Sequence, residues 1–453
     1  MSRTQRSYAP SGARYASSQY ASATREDTAS FARRPSRGFN LSDSGAAAPR
    51  YASRAYGEAA ARTAVPTAGF TVLEGGKSRE QALPEVQVRR GGVDLPFLIL
   101  TLVILTIGVI MVLSASFARA YYTTGDPMKY FLRQLIFAVA GVFVMMVVSR
   151  IPVRVFRRFS PLLMGVAIIL LALVPIIGVE ENGARRWIYL GFTTFQPSEI
   201  AKMAEVLFFA HLICNFKGKM RTFKYGVLPF VVVVMILVGL LILEPHLSAS
   251  VIIIGIAAIM MFAGGTDLKW FALAAVAVGL FGYIAVKQLG YAGDRISAWL
   301  NPEADASDTG YQIMQSLYAI GSGGLMGLGL GHGRQKYLYL PMEHNDYIFS
   351  VVCEELGFVG AVLILLLFAL LIIRGFWLAL HAKDRFSSLV VTGITGLLAL
   401  QVFLNVAVVT NLLPSTGISL PFFSYGGTAL LIQMAEMGII LSVSRDIPIT
   451  KAG

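Results

Sequence analysis

Residues 95–117 read LPFLILTLVILTIGVIMVLSASF, 23 positions without one charged side chain. At 1.5 Å of rise per residue, a helix of that length reaches about 34 Å, enough to cross the ~30 Å hydrocarbon core of a bilayer. Working outward from it, comparable apolar runs lie near 131–149, 160–178, 198–214, 227–244, 247–263, 268–287, 346–373, 387–410 and 427–444. The fold class this predicts is all-α: a polytopic membrane protein of about ten helices. The fifth and sixth runs meet at Glu244-Pro245-His246 with almost no loop between them, whereas 288–345 forms one large loop.

Composition agrees. Of the 453 residues, 55% are hydrophobic and 14% charged, against about 25% charged in soluble domains. The net charge of +12 does not indicate nucleic acid. Residues 1–94 hold 14 Lys and Arg against 8 Asp and Glu, so 6 of the 12 excess charges sit on a tail. Much of the rest lies in short loops, where it sets orientation, and no nucleic-acid motif accompanies it. Residues 1–90 are rich in Ser, Ala, Arg, Tyr and Gly and lack a sustained apolar period, which predicts a disordered tail. The opening MSRTQRSYAP is too polar for a cleavable signal, so the first apolar run is expected to direct insertion. Cys214 and Cys353 sit in or beside apolar runs, and the five histidines show no metal-binding spacing.

Lys and Arg in short loops give the orientation. Arg150, Arg154, Arg157 and Arg158 form one basic loop, Lys217, Lys219, Arg221 and Lys224 a second, and Arg374, Lys383 and Arg385 a third. An even number of helices places all three on one side with both termini, including the short end 448–453, and the positive-inside rule makes that side cytoplasmic. The loop 288–345 and the stretch 179–197 then face outward, where a rigid scaffold can present chemistry.

The outer loop offers acids near the membrane surface, Asp305 and Asp308 among them, and then a glycine-rich stretch from Gly321 to Gly331 able to pack closely on membrane helices. No Gly-Lys-Ser/Thr follows, so this is not a phosphate loop. Lys202 lies within an apolar run, where an ionisable group points to function. Glu199, three residues before it, shares its helix face and is expected to pair with it. At least one of Glu354 and Glu355 is expected to face a polar interior or cap a loop, and neither is assigned chemistry.

Three blocks carry a family resemblance. The first holds Gly183-Ala184-Arg185-Arg186-Trp187-Ile188 and Gln196-Pro197-Ser198-Glu199-Ile200-Ala201-Lys202. The second runs from Asn301-Pro302 and Asp305 through Gly310-Tyr311-Gln312 to Arg334-Gln335-Lys336, Leu340-Pro341, His344, Asp346-Tyr347-Ile348-Phe349 and Glu354-Glu355-Leu356-Gly357. The third is Pro414 to Gly417 with Leu420-Pro421-Phe422-Phe423-Ser424-Tyr425-Gly426-Gly427. Their content and order resemble the SEDS family (shape, elongation, division and sporulation) over about residues 95–445, and the texture looks most like the division-type members. The chain departs at Ala306, where the family often has Pro, at Met342, where it often has Glu, and at His246, where it commonly has Asp.

The resemblance implies a peptidoglycan glycosyltransferase that polymerises lipid II by inverting transfer of a glycan strand from a lipid pyrophosphate. Asp305 aligns with the family's essential Asp and would be the base. Arg186 and Lys202 would bind the pyrophosphate, with Glu199 and Gln312 beside the substrate. Trp187, Ser424, Gly426 and Gly427 would be structural. The implied partners are lipid II, the lipid-linked glycan strand, a class B penicillin-binding transpeptidase and other division proteins, at the septal cytoplasmic membrane. No cofactor is certain, though a divalent cation suits a pyrophosphate site. A lipid II flippase is the alternative. The motifs lie on outer loops rather than at broken helices in related halves, which favours the transferase.

Overall fold

The computed structural model describes residues 91–181, 184–191, 193–288, 297–304 and 309–447. The N-terminal tail, Asp305, Asp308 and residues 448–453 lie outside the described residues.

Each of the ten apolar runs is a helix. They are α1 (Leu95–Thr124), α2 (Lys129–Val148), α3 (Val153–Ile177), α4 (Pro197–Asn215), α5 (Leu228–Leu243), α6 (Leu247–Gly264) and α7 (Leu268–Gln288), then, beyond α8 (Thr309–Ser322) in the large loop, α9 (Ile348–Leu380), α10 (Arg385–Val409) and α11 (Gly427–Ser444). Among the described residues, eight have the length and hydropathy of a membrane span when the turn Phe223–Gly226 is joined to α5. The helix α4 is long enough but carries Glu199, Lys202 and Glu205. The helices α10 and α11 are the most enclosed, and α2, α3, α5 and α9 the more peripheral. On α3 the outward stripe Val155, Phe159, Leu162, Val166 and Ile169 repeats at helical spacing, as a lipid-facing surface should.

Close packing of α2 against α11 depends on small residues. A Cβ on Gly427 would lie 2.3 Å from the Phe137 ring, and one on Gly438 would lie 2.7 Å from the Met145 carbonyl oxygen. The start of α1 is fixed by Asp94, which accepts from the Phe97 N–H at 2.9 Å and from Arg374 Nε at 3.0 Å. The helix runs seven residues past the expected 117 because nothing stops it before Gly125, which takes φ 76° at the C-terminus.

Two regions differ from a loop reading. Stretch 179–197 folds into a small antiparallel sheet of β1 (Val179–Glu181), β2 (Ala184–Tyr189) and β3 (Thr194–Phe195), pairing Val179 with Trp187 and Ile188 with Phe195. Trp187-Ile188-Tyr189 supplies aromatic and β-branched side chains suited to a strand.

The other region is the large loop, where α8 docks through Ser316, whose Oγ lies 2.7 Å from both Ser350 Oγ and the Val409 carbonyl. Behind it, residues 323–329 splice into a break in α9. Gly357 sits at φ 69° inside that helix. The N–H groups of Phe358 and Val359 donate to Gly324 and Leu325, and the carbonyls of Glu354 and Glu355 accept from Leu328 and Gly329, all at 2.9–3.1 Å. Two helical bonds are thus exchanged for four between segments, so no backbone group is stranded. The approach needs glycine on both sides, since a Cβ on Gly327 would lie 2.2 Å from the Glu355 carbonyl oxygen.

Candidate active site

On the α8 side of the helices, a chamber of ≈ 570 Å³ opens between the sheet, the starts of α4 and α6, α8, and segments 342–347 and 415–426. That is a volume typical of small-ligand sites. Its lining includes Arg186, Trp187, Glu199, Lys202, Gln312, Ser424 and Gly426, which come from all three sequence blocks. Gly427 stands one residue beyond, against Phe137.

Each side chain has a local reason for its place. Pro197 occupies the first turn of α4, and the cap residue Gln196 makes no side-chain cap bond. The positive end of the helix dipole therefore points at the chamber. One turn in, Lys202 Nζ lies 2.8 Å from Glu199, both side chains buried, as the i, i+3 spacing requires. On β2, Arg186 donates through Nη2 to the Pro245 carbonyl, while its buried Nε has no hydrogen-bond partner. The break between α5 and α6 thus becomes part of the site. There His246 lines the chamber, with Nε2 3.4 Å from Gln196 Nε2 and Nδ1 unpartnered. Burial, reinforced by Arg186 and Lys202, pushes the His246 imidazole down to about 3, so it is neutral at physiological pH. Burial lifts Glu244 to about 8, with Arg186 pulling the other way.

The far wall is tied together by backbone-directed bonds. Asn405 Nδ2 donates to the carbonyls of Asp346 and Ile418, at 2.8 and 2.6 Å. Ser424 Oγ donates to the Asn345 carbonyl at 2.7 Å and accepts from the Leu420 N–H at 2.7 Å. Gln134 Oε1 accepts from the Gly426 N–H at 3.3 Å.

Beside the chamber sits a separate polar latch between α1 and residues 333–355. Arg119 forks onto Glu343 through Nε and Nη2 at 2.7 and 2.8 Å. Lys336 Nζ donates to Glu355 at 2.6 Å and to Ser114 Oγ at 3.0 Å, and Ser114 in turn donates to Glu355. Glu354 accepts from the N–H groups of Arg334 and Gln335. Of the adjacent pair, then, Glu355 faces a polar interior and Glu354 caps a loop.

Sequence reading did not single out Asp346, Gln401 or Gln433 as site residues, yet all three line the chamber. The signal for the two glutamines was available, since a polar side chain within an apolar run deserves the same question as Lys202. Among the described residues, no three His, Cys, Asp or Glu side chains are grouped to hold a metal ion.

These features define a multi-pass membrane protein with a polar chamber near one membrane face. The chain belongs to the FtsW/RodA/SpoVE family, described as cell cycle protein, whose match spans residues 95–447. It is 41% identical over 355 residues to stage V sporulation protein E of Bacillus subtilis, covering 78% of this chain and 97% of that one. It is also 41% identical over 353 residues to a protein of Trichlorobacter lovleyi named "Probable peptidoglycan glycosyltransferase FtsW", covering 78% and 93%. Among solved structures, the rod shape-determining protein RodA of Thermus thermophilus aligns with a TM-score of 0.58 and 29% identity, covering 78% and 97%. A chain from a structure described as a peptidoglycan synthase complex coordinating polymerization and crosslinking aligns at 0.66 and 30%, covering 78% and 98%.

Proposed function

We propose that this chain is a peptidoglycan glycosyltransferase of cell division that polymerises lipid II at the outer face of the cytoplasmic membrane. The observation carrying this reading is the convergence of Arg186, Lys202 and Gln312 on one chamber, with Asp305 seven residues before Gln312 in the chain. Orientation follows the basic loops, with both termini cytoplasmic.

In this reading the acceptor is the sugar hydroxyl of lipid II, and the donor is a glycan strand on a lipid pyrophosphate. Asp305 takes the hydroxyl proton as the oxygen attacks the anomeric carbon, and the bond from that carbon to the pyrophosphate oxygen breaks with inversion. The departing pyrophosphate gains negative charge, which Arg186 meets with a planar fork and Lys202 with a point charge. Glu199 holds Lys202 in position. The start of α4 adds its dipole. A class B penicillin-binding transpeptidase is the partner that would cross-link the product, with other division proteins at the septum.

The test uses the purified chain with that transpeptidase and labelled lipid II. Asp305→Ala should lower polymer formation by ~10²–10⁴-fold while lipid II binding persists, and Asp308→Ala should keep most activity. Full polymerisation by Asp305→Ala would remove the base assignment and favour lipid II translocation instead.

A further inference from the structure

On the face opposite the chamber, a second cavity of ≈ 560 Å³ opens between the start of α3, the start of α10 and the turn after α11. Arg154, Arg157 and Lys383 line it together with Asp384 and Asp446, and Phe386 forms its apolar wall. The two acids are already engaged. Asp384 caps α10, accepting from the Ser387 N–H at 3.1 Å and from its Oγ at 2.7 Å, and Asp446 also has a partner. The three cations make no ion pair within the described residues. The Arg157 guanidinium lies 5.8 Å from the centre of the Phe386 ring, and its backbone carbonyl meets His211 Nδ1 at 3.3 Å.

One further feature points to an anion. The 25-residue helix α3 begins after Pro152 without a side-chain cap and with no acid in its first turn, so the positive end of its dipole lies at the cavity. The other side of the same helix carries the exposed stripe Val155, Phe159 and Leu162, so the cavity sits one helix from the lipid.

We propose that this cavity binds the headgroup phosphate of an anionic glycerophospholipid from the cytoplasmic leaflet. Basic pockets between membrane helices on that side are suited to such headgroups. Arg154 and Arg157 supply planar forks for phosphate oxygens and Lys383 a point charge. The assignment rests on the orientation given above and not on the transfer chemistry.

The experiment is native mass spectrometry of the full chain titrated with phosphatidylglycerol or phosphatidylcholine. The wild type should retain phosphatidylglycerol preferentially. Each cation removed in Arg154→Gln/Arg157→Gln/Lys383→Gln should weaken that retention about fivefold. The comparison variant Lys217→Gln/Lys219→Gln/Lys224→Gln, on the same face but outside the cavity, should retain it normally. Equal retention by wild type and triple variant overturns the proposal, and so does equal loss in the comparison variant, which would mean general surface charge. Displacement by glycerophosphate at the lipid's own concentration would mark a free-anion site, and preferential retention of lipid II there would mark a translocation site. Either result overturns the lipid assignment. Should the triple variant fail to fold, Arg154→Gln alone, at an exposed position, carries the same comparison. Polymer formation is measured alongside, and its failure with lipid retention intact bears only on the chamber.

Discussion

The chamber and the latch lie side by side in the same apolar scaffold, and both are rich in charge, yet their polar groups are treated differently. In the latch, Glu343, Glu354 and Glu355 each accept from named donors, and Arg119 and Lys336 spend their N–H groups on those acids. In the chamber, Arg186 Nε, His246 Nδ1 and Asn345 Oδ1 are buried without partners. An unsatisfied buried polar atom costs about 1–3 kcal/mol. The latch pairs its acids and cations, although Gln335 Oε1 there is also unpartnered, whereas the chamber leaves a guanidinium N–H and an imidazole nitrogen open where a polar ligand could complete them. The difference separates a clamp from a binding site more sharply than charge content does.

The largest effect that would sharpen this contrast belongs to the latch. Lys336→Met leaves the Glu355 carboxylate buried without its cation, and breaking a buried pair costs about 3–5 kcal/mol. Thermal unfolding in detergent should show the loss, and Lys336→Met/Glu355→Leu should recover much of it. Retained stability in the single variant would break the comparison. Next comes Arg186→Gln in the chamber. Polymerisation should fall ~10²-fold, as for loss of one charge-stabilising donor, with the melting temperature nearly unchanged. A large drop in stability there would make Arg186 a clamp residue after all.

Smaller effects concern pH. Burial pushes the Glu343 carboxyl up, but the nearby His344, 3.6 Å away, and the hydrogen-bonded Arg119 outweigh this and hold it below the ordinary carboxylate range. The stability this contributes is present above the ordinary pKa and is lost as pH falls through the lowered one. Acid unfolding of Glu343→Gln should therefore lack that limb and start from a less stable neutral state. The smallest effect is at His246. With its pKa near 3, the imidazole is neutral from pH 6 to 8. Substituting His246→Gln should change activity only a few-fold by losing one neutral hydrogen bond, leaving the shape of the pH profile intact over that range. A limb near pH 6.5 that vanishes in this variant would show a charged histidine instead.

Much of this was legible from sequence. An apolar run of 20 residues has few physical solutions, so all ten helices were readable, and the spacing of Glu199 and Lys202 announced their pairing. The sheet was not, because Arg185 and Arg186 interrupt any alternation in a strand of six residues. The break at Gly357 was invisible to hydropathy, which averages over a window and registers no dihedral angle. Arg119 escaped notice because it lies on the polar extension of α1, beyond the run that identified the helix. Gln401 and Gln433 were passed over for a different reason: neither is charged, although a buried amide in lipid asks for a partner as a cation does.

The splice at Gly357 has a consequence for the order in which the molecule is built. Residues 323–329 precede α9 in the chain, and the break at Gly357 keeps its hydrogen bonds only while they lie against it. A break formed without them would leave two carbonyls and two N–H groups unsatisfied, each costing several kcal/mol in hydrocarbon, so an unspliced α9 is expected to close its own two helical bonds instead. Opening of the helix at Gly357 and closure of the preceding loop are therefore one cooperative event.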